Sequence, residues 1–175
     1  MPKFWSLFFL VLFFLGKGNA QSLDTIAPGV DYSYLRLDQV LRFYEKYKLE
    51  IVQADNPDLF LEVFTWIGTP YSYGGRSHQG VDCSALASQI YAKVYGKKIG
   101  GSCRDIFPKC MPIDNSQIVE GDLVFFNTRG TLTHVGVYLG NNKFVHAAVH
   151  GGVMINDLEE AYYKRNFYKA ARFTD

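Results

Sequence analysis

Three side chains in this sequence have the types and spacing to break an acyl bond by nucleophilic attack: Cys83, His134 and His146. A thiol attacks only as its thiolate. Cys83 follows Asp82, whose carboxylate suits a helix cap because it accepts a backbone N–H one turn in. Leu86, Ile90 and Val94 then recur at helical spacing as a buried stripe. Cys83 therefore sits in the first turn, where unpaired N–H groups and the positive end of the helix dipole favour the anion. Upstream, Gly74, Gly75 and Gly80 let a substrate backbone come close. Position alone leaves a second reading open, a buried structural cysteine on the helix face.

The histidines carry the decision. In Thr133–Leu139 the odd positions Val135, Val137 and Leu139 are apolar, so His134, Gly136 and Tyr138 share the other face of a strand. That face is one that a helix or a ligand could cover. His146 lies in the next strand pattern, and Gly140-Asn141-Asn142 reads as the hairpin turn between them. A three-residue loop at 140–142 sets Gly136 opposite His146 and His134 on the diagonal, ~7 Å away between backbones. One imidazole can then take the thiol proton while the other orients it. An even-numbered loop puts the two histidines on opposite faces. His78 and His150 fall in loops and are expected to be exposed. The spacing of three Cys and four His does not match a compact zinc pattern. No Lys-Ser/Thr follows Gly74-Gly75, which excludes a phosphate cradle. The chemistry calls for no metal and no organic cofactor.

These groups need elements to hold them. Leu35, Val40, Leu41, Tyr44, Tyr47 and Leu49 predict a helix over 35–52. Asp55-Asn56-Pro57 breaks it, and a second helix is predicted over 58–67. Residues 71–82 read as loop. The helix opened by Cys83 stops at Gly96. After Gly121 the period becomes two, with strands predicted over 122–126, 133–139, 143–149, 153–157 and 169–173. Helices first and strands later give an α+β domain with a mainly antiparallel sheet.

The chain of 175 residues suits one domain behind a targeting segment. Met1–Ala20 reads as a signal peptide, with Lys3, an apolar run over 4–15 shorter than the ~20 residues a spanning helix needs, and small residues Gly18-Asn19-Ala20. An uncleaved anchor is the alternative. Residues 1–20 hold two of the 18 basic side chains, Lys3 and Lys17, and none of the 17 acidic ones. The mature chain then carries a net charge of about −1, which is no footprint for nucleic acid. Export places Cys83, Cys103 and Cys110 in an oxidising compartment. The simplest assignment pairs Cys103 with Cys110 and leaves Cys83 free; three unpaired thiols are the other reading.

Several segments, in order, resemble the NlpC/P60 family of cell-wall cysteine peptidases. They are Thr69–Gly75 (TPYSYGG), Val81–Leu86 (VDCSAL), Gly121–Phe126 (GDLVFF), His134–Tyr138 (HVGVY) and Phe144–Ala147 (FVHA), with Gly152–Ile155 and Tyr162–Arg172 as the ending. The resemblance covers about residues 60–173. It implies a papain-like α+β fold, with N-terminal helices packed on a mainly antiparallel sheet and the nucleophile at a helix N-terminus. It implies Cys83 as nucleophile, His134 as base and His146 as orienting group. Tyr71 would hold substrate or oxyanion, and Asp82 and Ser84 would contact substrate.

The layout it suggests is a signal peptide over 1–20, a helical extension over 21–57 and a catalytic domain over 58–175. The implied activity is cysteine endopeptidase action on peptide stems or cross-links of bacterial peptidoglycan. The implied location is the periplasm, cell envelope or exterior, as a monomer with no stable membrane insertion after signal cleavage. The rival classes are thiol acyl transfer or amidase chemistry on another substrate, and a non-catalytic envelope-binding protein. The chain departs from the family pattern at Ala85, where Gly is usual, near Ile106, where a Gln is usual, and in the Cys103–Cys110 stretch. Arg76 and Arg104 lie near enough to the motif to serve a substrate carboxylate.

Overall fold

Helical spacing dominates the chain before Gly96 and strand alternation after Gly121, and the fold separates along that line. The computed structural model describes residues 37–49, 56–128 and 130–174. The signal-peptide assignment and the two ends of the first helix prediction, 35–36 and 50–52, lie outside them. Helix α1 (Leu37–Tyr47) ends short of 52: Lys48 takes a left-handed φ of 52° and the Leu49 N–H turns back to the Tyr44 carbonyl. Helix α2 (Pro57–Trp66) starts on a proline, with the Asn56 side chain accepting the Asp58 N–H at 3.1 Å. Phe43 of α1 packs edge-on against Phe64 of α2.

Within the predicted loop the structure contains a small hairpin, β1 (Arg76–Ser77) and β2 (Gly80–Val81), too short to show a period. Helix α3 (Cys83–Val94) follows, with Leu86, Ile90 and Val94 buried as the stripe requires. Helix α4 (Cys103–Ile106), a 3-10 turn (Phe107–Lys109) and strand β3 (Cys110–Ile113) form a stretch that periodicity did not reveal. The sheet is completed by β4 (Leu123–Asn127), β5 (Leu132–Gly140), β6 (Lys143–Ala148), β7 (Gly152–Asp157) and, after helix α5 (Ala161–Asn166), β8 (Phe167–Phe173). Its order is β3-β8-β4-β5-β6-β7, with every neighbouring pair antiparallel.

Both faces of the sheet are covered. Odd positions such as Phe125, Val135, Val137, Val145 and Val153 pack against α2 and α3. Even positions Val124, Phe126, Tyr138 and Phe144 form a second cluster with Tyr163 of α5 and Phe167. Asp122, 2% exposed just before β4, is held by a two-pronged ion pair with Arg172 of β8 at 2.7 and 2.8 Å; a charge this buried needs such a partner.

The β5–β6 connection corrects the predicted loop. Asn141 and Asn142 both have positive φ, 48° and 61°, as a two-residue hairpin turn demands. The register then steps from Gly140↔Lys143 to Tyr138↔Phe144, so Leu139 is an extra, bulged residue. An even turn plus one bulge restores the parity of a three-residue loop, and beyond the last pair a Cβ on Gly136 would lie 3.4 Å from His146 Cβ.

At the outer edge, β7 is paired by the segment after α2: the Gly68 N–H donates to Val153 at 2.9 Å, and the Val153 N–H to Thr69 at 2.8 Å. Gly152 has φ 73°, and a Cβ there would stand 2.3 Å from the Thr69 carbonyl oxygen, so this approach requires glycine.

The three cysteines are unjoined. Cys103 opens α4 with its sulfur on the Leu132 carbonyl of β5, while Cys110 opens β3 with its sulfur on the Ile106 carbonyl. The two side chains therefore serve different neighbours, and the expected Cys103–Cys110 pairing does not occur. Among the described residues no helix is long and apolar enough to cross a membrane.

Candidate active site

One carboxylate builds the nucleophile's surroundings. Asp82 Oδ1 accepts the Ala85 N–H at 2.7 Å and the Ser84 hydroxyl at 2.8 Å, capping α3. Its Oδ2 accepts the Gly74 N–H at 3.0 Å, which pins the glycine loop to the same helix start. The strand-like contacts Ser72 N–H to Val81 and Val81 N–H to Pro70 hold Tyr71 alongside β2. The Tyr71 phenol is raised in pKa by burial and then by the nearby Cys83 and Asp82, so it stays protonated.

Cys83 is partly buried at the first turn of α3. Burial pushes its thiol up to about 11, and Cys103 and Asp82 add to that; the backbone N–H groups of Val135 and Ser84 pull the other way. Burial outweighs the helix-start effect, and the resting group is a thiol rather than the anion expected from position. The Val135 amide also fixes where the sulfur lies, one residue along β5 from His134. The β5–β6 ladder runs from Val137↔Val145 to the turn, while β5 stays paired with β4 back to Leu132. The start of α3 thus meets β5 where that strand is registered on one side.

His134 Nε2 and His146 Nδ1 are 2.8 Å apart, with the rings perpendicular at 89°. The face predicted to be free for a helix or ligand is covered beside them by Phe126, Phe144 and Tyr163. His146 is 1% exposed. Its Nε2 lies 2.8 Å from Asn156 Oδ1 and 3.1 Å from the Tyr163 hydroxyl, which itself donates to Asn156 Oδ1. Burial, then the neighbouring His146, lowers His134 to about 3. Burial also lowers His146, against the opposing pull of Asn156 and Glu160. Both rings are therefore neutral near pH 7, each with one N–H and one lone pair.

The network then assigns the tautomers. The Asn156 oxygen only accepts, so His146 Nε2 carries hydrogen and its Nδ1 accepts. His134 Nε2 must donate to that Nδ1, which leaves His134 Nδ1 as the basic nitrogen. Gly136 makes the close strand approach possible, since a Cβ there would lie 2.7 Å from the Phe144 ring and 2.8 Å from the Val145 oxygen.

Sequence reasoning missed Asn156 and Tyr163. The alternation that put His134 with His146 carries one strand further: His146 faces Met154 across β6–β7, and Asn156 is on the same side. Tyr163 sits on a six-residue helix that leaves no periodic signal. Arg104 is engaged with Leu132 and Thr131 at the start of β5, and Arg76 lies exposed on β1. His78 is exposed as expected, yet its ring stacks on Trp66 at 3.9 Å; His150 is exposed.

The family model described as NlpC/P60 family matches residues 68–172. Among curated proteins, the chain is 38% identical over 107 residues to the "Probable endopeptidase NlpC homolog" of Haemophilus influenzae, covering 61% of this chain and 57% of that protein. It is 35% identical over 150 residues to the "Murein DD-endopeptidase MepS/Murein LD-carboxypeptidase" of Escherichia coli K12, covering 85% of this chain and 77% of the relative. Among solved structures, an NlpC/P60 family protein from Bacillus cereus superposes with TM-score 0.62 at 27% identity over 71% of this chain and 42% of the other. The NlpC/p60 domain of the peptidoglycan hydrolase SagA does so with TM-score 0.58 at 28% identity, over 67% of this chain and 98% of that domain.

Proposed function

This chain belongs to the NlpC/P60 family, and from that premise we propose that it is a cysteine endopeptidase acting on the peptide stems or cross-links of bacterial peptidoglycan. The names of its relatives, a murein DD-endopeptidase among them, support the substrate class. The observation that carries the reading is the 2.8 Å contact between His134 and His146, one residue along β5 from the Val135 amide that meets the helix-start thiol of Cys83.

In the proposed reaction His134 Nδ1 takes the Cys83 proton as the sulfur attacks the scissile carbonyl. Starting from a neutral pair, proton transfer accompanies attack. The oxyanion accepts hydrogen bonds from the Cys83 backbone N–H, free at the helix start, and from the Tyr71 hydroxyl. The His134 imidazolium gives its proton to the leaving amine, and the C–N bond breaks. Water, deprotonated by His134, then attacks the thioester, and the carboxylate departs as the thiol re-forms. His146 accepts the His134 N–H throughout and keeps the ring in register. Asp82 and Ser84 shape the substrate wall through the loop that Asp82 pins at Gly74. No step needs a metal or organic cofactor.

The proposal includes a signal peptide over 1–20, a helical extension over 21–57, a catalytic domain over 58–175, and action as a monomer in the periplasm, envelope or exterior. The test is mass spectrometry of muropeptides incubated with the mature chain beside Cys83→Ala. Release of stem fragments by the wild type alone is expected. A folded, reduced wild type that leaves every muropeptide intact would overturn the reading.

A further inference from the structure

We propose that Glu160, an exposed residue outside the Cys-His-His set, is a positioning residue that selects the tautomers of both histidines through Asn156. The catalytic consequence rests on the peptidase reading above; the tautomer statement does not. Asn156 Nδ2 donates to both carboxylate oxygens of Glu160, at 3.1 and 3.0 Å. Glu160 is itself held in place by the Asp157 N–H at 2.9 Å. An ionised carboxylate can only accept. It therefore decides which end of the Asn156 amide is nitrogen, and the oxygen is left to face His146.

The choice propagates inward without any atom moving far. With Asn156 turned over, its NH₂ would meet His146 Nε2, and that nitrogen would have to be the acceptor. His146 Nδ1 would then carry the hydrogen, His134 Nε2 would accept it, and His134 Nδ1 would be protonated. One amide flip at the surface would thus occupy the lone pair required of the base. Tyr163 cannot enforce the choice, because its hydroxyl hydrogen rotates and serves either arrangement. Among these linked contacts Glu160 is the acceptor-only group, and so the one that fixes their direction.

The test is ¹⁵N NMR of the imidazoles in the full chain at neutral pH, with steady-state hydrolysis alongside. The wild type is expected to show His134 and His146 each protonated at Nε2 and bare at Nδ1. Glu160→Ala is expected to mix the two tautomers and to lower kcat by about twofold or more with KM little changed, since each molecule in the wrong tautomer lacks the base. Adding Asn156→Asp to Glu160→Ala restores an acceptor-only partner for His146 and is expected to bring back the wild-type signature. Loss of a merely structural turn contact would not be rescued that way. Wild-type tautomers in Glu160→Ala would overturn the proposal, as would a mixed signature that Asn156→Asp fails to correct. The spectra are read without substrate, so a failed peptidase reading leaves this result intact.

Discussion

The nucleophile and its base are held by opposite kinds of structure. Cys83 is placed chiefly by contacts close in sequence, as Asp82 reaches Ser84, Ala85 and Gly74, and the Val135 amide of β5 adds a contact to its sulfur. His134 is placed by β5, β6, β7 and the turn before α5, through a line of contacts from His146 to Asn156 and Glu160. The first region is assembled by a cap and can be weakened by degrees. The second depends on strand parity, which is either right or wrong. Damage to the two regions should therefore look different.

Deleting Val137 from β5 is the most severe way to break the sheet side. It leaves Tyr138 opposite Phe144, moves every earlier residue of β5 by one place, and so sends His134 and His146 to opposite faces. The expected result is no detectable hydrolysis and loss of a cooperative thermal transition; a retained transition with activity would refute the parity argument. Gly136→Ala comes next. Its Cβ must displace the Phe144 ring and the Val145 carbonyl, at a cost of about 1–3 kcal/mol by analogy with overpacked cores. Denaturant unfolding should show that loss together with a disturbed His134–His146 NMR signature.

On the nucleophile side, Asp82→Ala should cost about 1 kcal/mol, the usual worth of a helix cap. It should lower kcat/KM through the freed Gly74 loop, while the histidine tautomers remain as in the wild type. If the tautomers change as well, the two regions are not separable.

The mildest test uses pH. His134 is lowered from 6.5 to about 3 by burial and then by His146, so its contribution to stability is complete above 6.5 and lost as pH falls toward 3. Cys83 is raised from 9.0 to about 11, chiefly by burial, so its contribution is complete below 9 and lost as pH rises toward 11. Melting temperature should be highest between these limits. Cys83→Ala should make the alkaline side less steep, with buried Cys110, also pushed up to about 11, still contributing there, and leave the acid side unchanged.

The same contrast explains what could be read from the sequence. The Asp82 cap, the Leu86-Ile90-Val94 stripe and the alternation around His134 are local signals, and each corresponds to an observed element. The number of residues in the β5–β6 connection is not such a signal. Asn141-Asn142 reveals a turn, but the bulge at Leu139 emerges only from pairing. Helix α4, β3 and α5 span four to six residues each, too few for a period to declare itself. Proximity in sequence misled at Cys103 and Cys110, because it says nothing of the direction in which each sulfur points. The charge state of Cys83 is not legible either, since the burial that raises its thiol depends on the folded surroundings and not on its place at a helix start.

The pairing of Gly68 and Thr69 with Val153 also bears on how copies of this protein meet in solution. An open sheet offers two rows of unpaired backbone groups to any passing strand, and chains with such borders tend to stack on one another. Here one border strand, β3, carries Pro112, which has no N–H to offer. The other, β7, is occupied near Val153 by the segment that leads to Tyr71 and the nucleophile. A substitution that loosens this segment would lay open a sticky border as well as slacken the cleft, so such variants should be lost to precipitation before their catalysis can be measured.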